Sequence, residues 1–142
     1  MQPAFATRFA ATLEDFEQAF TALRRALDAE QMGAAARYNV ELVFEEIVAN
    51  IVSYGAVPGQ ELEVHVTLHS VGTDVVLTFE DNGVAFDPCQ RTEVPVPATS
   101  LEEAQIGGFG LMLVRHAARA LAYERSAAGC NRMTVTLQRA AG

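Results

Sequence analysis

The sequence predicts an α+β fold, a two-layer sandwich with about three helices covering one face of a mixed, mostly antiparallel sheet. Three observations predict it. Two early stretches carry apolar residues at spacings of three and four, the mark of helices with one buried face. A middle stretch alternates apolar and polar residues and meets a second apolar run across a glycine turn. A glycine-led apolar helix and two short strand-like runs then close the chain.

Residues 5 to 11 fit a short first strand. Thr12 reads as a helix N-cap, with Asp15 three residues on. Leu13, Phe16, Phe20, Leu23 and Leu27 form the stripe of the first helix, which Gly33 is expected to break. The second helix is expected over about 34 to 54, with Val40, Val43, Phe44, Ile47, Val48 and Ile51 as its stripe and Gly55, Pro58 and Gly59 as its stop. Leu62, Val64, Val66 and Leu68 then face one way and Glu63, His65, Thr67 and His69 the other, a half-buried strand. Val71-Gly72-Thr73-Asp74 turns this strand into a partner over residues 75 to 79. Residues 88 to 107 contain Pro88, Pro95 and Pro97 and show no period; a stretch of that kind inside a small domain is usually functional or mobile. A third helix is expected from Gly110 to Leu121, and two last strands over 123–126 and 133–138 around a turn at Gly129.

The chain has 142 residues, which fits one domain over 1–142, and half of them are apolar, enough for a real core. The formal charge is -8 without a basic stripe, which argues against direct nucleic-acid binding. It leaves nucleotide binding open, because one magnesium ion and a few backbone N–H groups can hold a triphosphate. Cys89 and Cys130 have no zinc-like spacing, and reduced thiols are expected. His65, His69 and His116 are expected at exposed or edge positions, and the serines show no triad spacing. No apolar run reaches membrane-span length and the N-terminus lacks signal-peptide character, so the expected location is the cytoplasm.

Three constellations carry chemistry. Glu46 and Asn50, four apart on the second helix, share a face on the flank of the apolar stripe, while Glu45 falls on the other flank. A carboxylate and an amide oxygen at a pocket wall suit a hard cation, and the carboxylate could act as a general base. The plain alternative is a solvated Glu with Asn as filler. Asp81 and Gly83 follow a strand end. A carboxylate there can accept a hydrogen bond from an exocyclic amine, and Gly83 lets backbone approach a flat ring and permits positive φ. The alternative is a hairpin turn at Asn82-Gly83. Gly107-Gly108-Phe109-Gly110 opens a helix, whose N-terminal N–H groups attract phosphate, though it could be loop punctuation alone.

Taken in order, these boxes resemble the GHKL ATPase superfamily of gyrase, Hsp90, histidine kinases and MutL. Within it the chain is most similar to the anti-sigma factor serine-protein kinases of the RsbW and SpoIIAB kind. Glu46-Ile47-Val48-Ala49-Asn50 matches the first box. Asp81-Asn82-Gly83-Val84-Ala85-Phe86-Asp87-Pro88 matches the second, including the Ala-Phe-Asp-Pro tail of the anti-sigma branch, and Gly107-Gly108-Phe109-Gly110-Leu111 the third. Asn131-Arg132-Met133-Thr134-Val135 resembles the family's last strand. The likeness covers residues 5 to 138 and implies a histidine-kinase-type ATPase fold.

The resemblance also implies roles. Glu46 would be the catalytic base and Asn50 the magnesium ligand. ATP would be held by Asn50, Asp81, Gly83, Phe86, Gly108, Gly110, Leu111 and Thr134, under a lid formed by about residues 88 to 107. The implied activity is ATP-dependent phosphorylation of a serine or threonine on a STAS-domain antagonist, coupled to sequestration of a sigma factor by a homodimer. Two other readings remain: a non-catalytic ATP-binding partner-switch module, and the kinase component of another bacterial signalling system. The chain departs from the family at Tyr54, where histidine is usual, and in the segment Gly55-Ala56-Val57-Pro58-Gly59.

Overall fold

In the computed structural model, which describes residues 2–87 and 109–139, the elements run β1 (Phe5–Ala10), α1 (Leu13–Ala29), α2 (Ala34–Tyr54), β2 (Glu63–Val71), β3 (Asp74–Asp81), α3 (Phe109–Ala117), β4 (Ala120–Arg125) and β5 (Asn131–Gln138). The five strands form one sheet in the order β1-β2-β3-β5-β4. Every pairing is antiparallel, so the expected α+β sandwich is present with a sheet more uniform than predicted.

Local chemistry sets most element ends. Thr12 Oγ1 accepts the Asp15 N–H at 3.1 Å, the anticipated N-cap of α1. Gly72, at φ 61, turns β2 into β3, with Val71 opposite Asp74. Several boundaries differ from expectation by one to four residues, and two of them are informative. The residue that takes the left-handed conformation after α1 is Gln31, at φ 52; Gly33 instead caps the start of α2. The third helix ends at Ala117, four residues before the expected Leu121. Residues 117 to 122 are good helix formers, but the Arg119 N–H donates to the Thr136 carbonyl at 2.8 Å and β4 begins at once along β5. Strand pairing outweighs local propensity there.

Burial along the strands shows where the helices lie. Val64, Val66 and Leu68 of β2, Val75, Leu77 and Phe79 of β3, and Met133, Val135 and Leu137 of β5 are all buried, while their alternating neighbours are more exposed. One sheet face thus carries the core with α1, α2 and α3, and the other is polar. Phe44 of α2 is the centre of this core, fully buried, with ring centroids of Phe16 and Phe20 at 5.7 Å, Phe9 at 6.2 Å and Phe79 at 6.3 Å. Offset and tilted aromatic contacts of this kind add to the area buried. Among the described residues no helix is long and apolar enough to cross a membrane.

Phe44→Ala should lower unfolding stability by about 3–5 kcal/mol, because it opens a cavity between α2 and β3 that the surrounding rings cannot fill. Chemical denaturation checks this; a loss under about 1 kcal/mol would show that the aromatic cluster is not the centre of the core.

Candidate functional site

The sheet and α2 meet at the end of β3. Asp81 closes that strand on the core-facing side and is 7% exposed. The chain then passes through Gly83, which lies against Gly55 at the end of α2, and the Val84 N–H donates to the Gly55 carbonyl at 3.1 Å. A Cβ on Gly83 would lie 2.4 Å from the Gly55 oxygen and 2.8 Å from its Cα. Glycine is therefore required for backbone-to-backbone contact. The positive φ anticipated for Gly83 is not used; among the described glycines only Gly59, Gly72 and Gly129 adopt it.

This junction leaves a recess between α2 and the ends of β3, β4 and β5. Ile47, Asn50, Ile51 and Gly55 line one wall; Asp81, Val84, Phe86, Tyr123, Asn131 and Met133 line the rest. The walls are mainly apolar, with a few polar groups, as ligand recesses commonly are. Tyr54 stacks on Phe86 at the edge, with ring centroids 4.7 Å apart and planes 14° from parallel.

The polar end of the recess is tightly bonded. Asp81 Oδ1 accepts the Gly83 N–H at 2.9 Å and the Asn131 Nδ2–H at 3.0 Å. Asn131 Nδ2 also donates to the Val84 carbonyl at 2.7 Å. Arg125 reaches over from β4 and donates from Nη1 to the Gly83 carbonyl at 2.9 Å. A buried carboxylate is stable only when its oxygens find donors, and here one oxygen is well supplied by the protein.

On α2 the side chains of Glu46 and Asn50 follow one another by one helical turn. Asn50 Nδ2 donates to the Glu46 backbone carbonyl at 3.1 Å. That bond uses the amide nitrogen and leaves the amide oxygen, a hard donor of the kind magnesium takes alongside its waters. The donor set thus fits the metal. Glu46 is half-buried, outside the lining of the recess, and its pKa is raised, first by burial and then by the neighbouring charge of Glu45. Glu45 itself lies on the other flank, in a groove with Phe9, Leu13, Phe16, Val48 and Val52. The helical geometry that separated the two glutamates is present.

The structure therefore brings Asn50, Asp81 and Phe86 to one recess, with Gly83 beside it and Glu46 one turn away. The remaining predicted residues lie elsewhere. Gly110 is in the first turn of α3. The Leu111 side chain is 4% exposed and packs in the core, so only its backbone could meet a phosphate. Thr134 points to the polar face of the sheet, because side chains alternate along β5 and its neighbours Met133 and Val135 face the core. Met133 and Asn131 are the β5 side chains on the recess, and the expected role of Thr134 does not fit this placement. Gly108, and the lid expected over residues 88 to 107, lie outside the described residues. Sequence reasoning missed Tyr123, Arg125 and Asn131. The period-2 pattern that ends at Met133 and Val135 places Asn131 on the inner face, and that was the available signal.

Comparison with known proteins agrees with this fold. The histidine kinase-like ATPase domain family matches residues 9–138. The chain is 40% identical over 107 residues to the serine/threonine-protein kinase BtrW of Bordetella bronchiseptica, covering 75% of this chain and 74% of that protein. Its fold is similar to the RsbU and RsbW domains of a Mycobacterium tuberculosis protein, with a TM-score of 0.63 at 16% identity over 97% of this chain. This chain spans about a third, 32%, of that longer one. It is also similar to a chain of the SiaB–SiaC complex of Pseudomonas aeruginosa, with a TM-score of 0.58 at 15% identity, covering 94% of this chain and 88% of that one. The two structural likenesses carry the fold; the match over residues 9–138 and the 40% identity carry the family. The chain belongs to the histidine kinase-like ATPase domain family, of the GHKL type, and is a relative of a serine/threonine-protein kinase.

Proposed function

We propose that this GHKL protein kinase binds magnesium and ATP in the recess at the end of β3 and phosphorylates a serine or threonine of a STAS-domain antagonist. In the same reading a homodimer of the kinase sequesters a sigma factor in the cytoplasm, without touching nucleic acid directly. The observation that carries the ATP and kinase part is the shared recess itself. A buried Asp81, an oxygen-donating Asn50 and a half-buried Glu46 with a raised pKa stand within one turn of α2 and one strand end. The identity of 40% with a serine/threonine-protein kinase supports the choice of phosphate acceptor.

Each side chain has a task in this reading. Adenine lies against Ile51, Val84 and Met133, and its exocyclic amine donates to the Asp81 carboxylate. The first-turn amides of α3, Phe109 to Leu111, lack helical acceptors and suit phosphate oxygens. Asn50 and the triphosphate would hold magnesium, which neutralises charge on the phosphates. Glu46 takes the hydroxyl proton as the acceptor oxygen attacks the γ-phosphorus; the bond to the bridging oxygen breaks and ADP leaves. A raised carboxylate pKa makes Glu46 a stronger base than an exposed one.

Retention of a partly desolvated glutamate beside Asn50 speaks against a module that only holds a partner, because holding needs no base. Glu46→Gln should keep ATP affinity within about threefold and lose about 10²–10⁴-fold in transfer to a STAS substrate. Full transfer by the variant would sink the base assignment.

The same substitution has a stability consequence with a definite sign. Folding raises the Glu46 pKa, so its contribution is fully present below the unfolded carboxylate pKa and is lost as pH rises through the folded value. At neutral pH the ionised side chain therefore costs stability. Glu46→Gln should melt at or above the wild-type temperature at pH 7, with the difference closing at low pH; a variant that melts lower at pH 7 contradicts this.

Asp81→Asn should weaken ATP binding at least about tenfold. The Gly83 N–H and Asn131 Nδ2–H both demand an acceptor at the Oδ1 position, so the new amide must turn its NH2 toward the adenine amine, donor against donor. Calorimetric titration with Mg-ATP is the check, and wild-type affinity in the variant would remove Asp81 from the site.

A further inference from the structure

Asn131 lies opposite Asp81 in the β3–β5 register and is 5% exposed. Its amide nitrogen and oxygen serve opposite sides. Nδ2 donates to Asp81 Oδ1 at 3.0 Å and to the Val84 carbonyl at 2.7 Å. Oδ1 accepts the Tyr123 hydroxyl at 2.5 Å, Arg125 Nη1 at 3.0 Å and the Phe86 N–H at 3.4 Å. Turning the amide over would set its NH2 against two groups that can only donate, Arg125 Nη1 and the Phe86 N–H, and its oxygen against the Val84 carbonyl and the Asp81 carboxylate. The side chain is therefore held in one orientation by Arg125 and the Phe86 N–H, and the Tyr123 hydroxyl anchors the oxygen so placed. Arg125 also donates to the Gly83 carbonyl at 2.9 Å, so the turn after β3 is held to β4 and β5 by the same group.

The effect falls on Asp81. Both of its hydrogen bonds among the described residues go to Oδ1, from Gly83 and Asn131. Oδ2 receives none of them. A hydrogen bond weakens steeply when the acceptor is misdirected, so an amine meeting Oδ2 depends on how firmly Oδ1 is held.

We infer that Asn131 is the positioning residue for purine selection: held by Tyr123 and Arg125, it fixes Asp81 Oδ1 so that Oδ2 is the oxygen offered to an exocyclic amine, and it thereby sets the preference for a 6-aminopurine. The inference rests on the reading of the recess as an ATP site. Tyr123 and Arg125 act through Asn131 and touch the base only in the case of Tyr123, whose ring lines the recess.

The test is calorimetric titration of wild type, Asn131→Ala and Tyr123→Phe with two magnesium-bound nucleotides, ATP and the 5′-triphosphate of purine riboside, which carries hydrogen in place of the amine. Wild type should prefer ATP by about tenfold or more, the scale of a hydrogen bond to a charged group. Asn131→Ala should reduce that preference at least fivefold, while its affinity for the amine-less nucleotide changes by less than about threefold. Tyr123→Phe keeps the ring and loosens only the amide, so it should melt like wild type and show an intermediate preference. A parallel loss of both nucleotides, with the preference kept, would show that Asn131 only supports the shape of the site and would overturn the inference. An unchanged preference in Tyr123→Phe overturns it as well, and decides the matter if Asn131→Ala does not fold. A wild-type protein that binds neither nucleotide, or both equally, is a different result: it removes the adenine reading of Asp81 itself.

Discussion

The contact between Gly55 and Gly83 is the constraint on which the site depends. Two backbones touch there, and a single Cβ on Gly83 would stand 2.4 Å from a carbonyl oxygen. Because Gly83 lacks a side chain, the end of α2 and the exit of β3 can share the hydrogen bond from Val84 to Gly55. That bond brings Asn50, just over one turn before Gly55, onto the same recess as Asp81. The sandwich itself is held by Phe44 and its ring neighbours, farther back along α2. Packing there and close approach here divide the helix into a stabilising part and a site-forming part.

Polar burial is concentrated where that approach occurs. Asp81 and Asn131 are buried side by side at the edge of an apolar core. Each would be costly alone, and together they satisfy one another while leaving one carboxylate oxygen for a ligand. Glu46 has the opposite environment. It takes no part in that network and is half desolvated, with another glutamate next to it, so its pKa moves up. Two carboxylates on adjoining elements are thus given different characters by their surroundings: Asp81 is a fixed hydrogen-bond acceptor, and Glu46 is a carboxyl with a raised pKa, the character that the proposed base role would use.

Features set by neighbours in the chain were legible in the sequence. The Thr12 cap, the Gly72 hairpin and the bounds of α2 all depend on residues a few positions apart. The split between Glu45 and Glu46 followed from helical geometry, and the two do face different surroundings. Features set by distant pairing were not. The end of α3 is decided by β5, which begins fourteen residues after Ala117, and helix-forming residues gave no warning. Gly83 was singled out for close approach to a flat ring and for positive φ, but the approach it permits is to Gly55, visible only in three dimensions. Thr134 was assigned by motif likeness, while strand alternation, which the sequence does contain, turns it to the polar face. Arg125 and Asn131 join the site through partners more than forty residues away in the chain; strand alternation signals that Asn131 faces inward but not what it meets there.

The most direct test of the proposed site is a crystal structure of the protein with magnesium and a non-hydrolysable ATP analogue. The adenine amine is expected within hydrogen-bond distance of Asp81, the ring against Val84 and Met133, and the Asn50 amide oxygen on the metal. A nucleotide bound elsewhere, such as the groove between Leu13 and Val52, with Asp81 untouched, would contradict it.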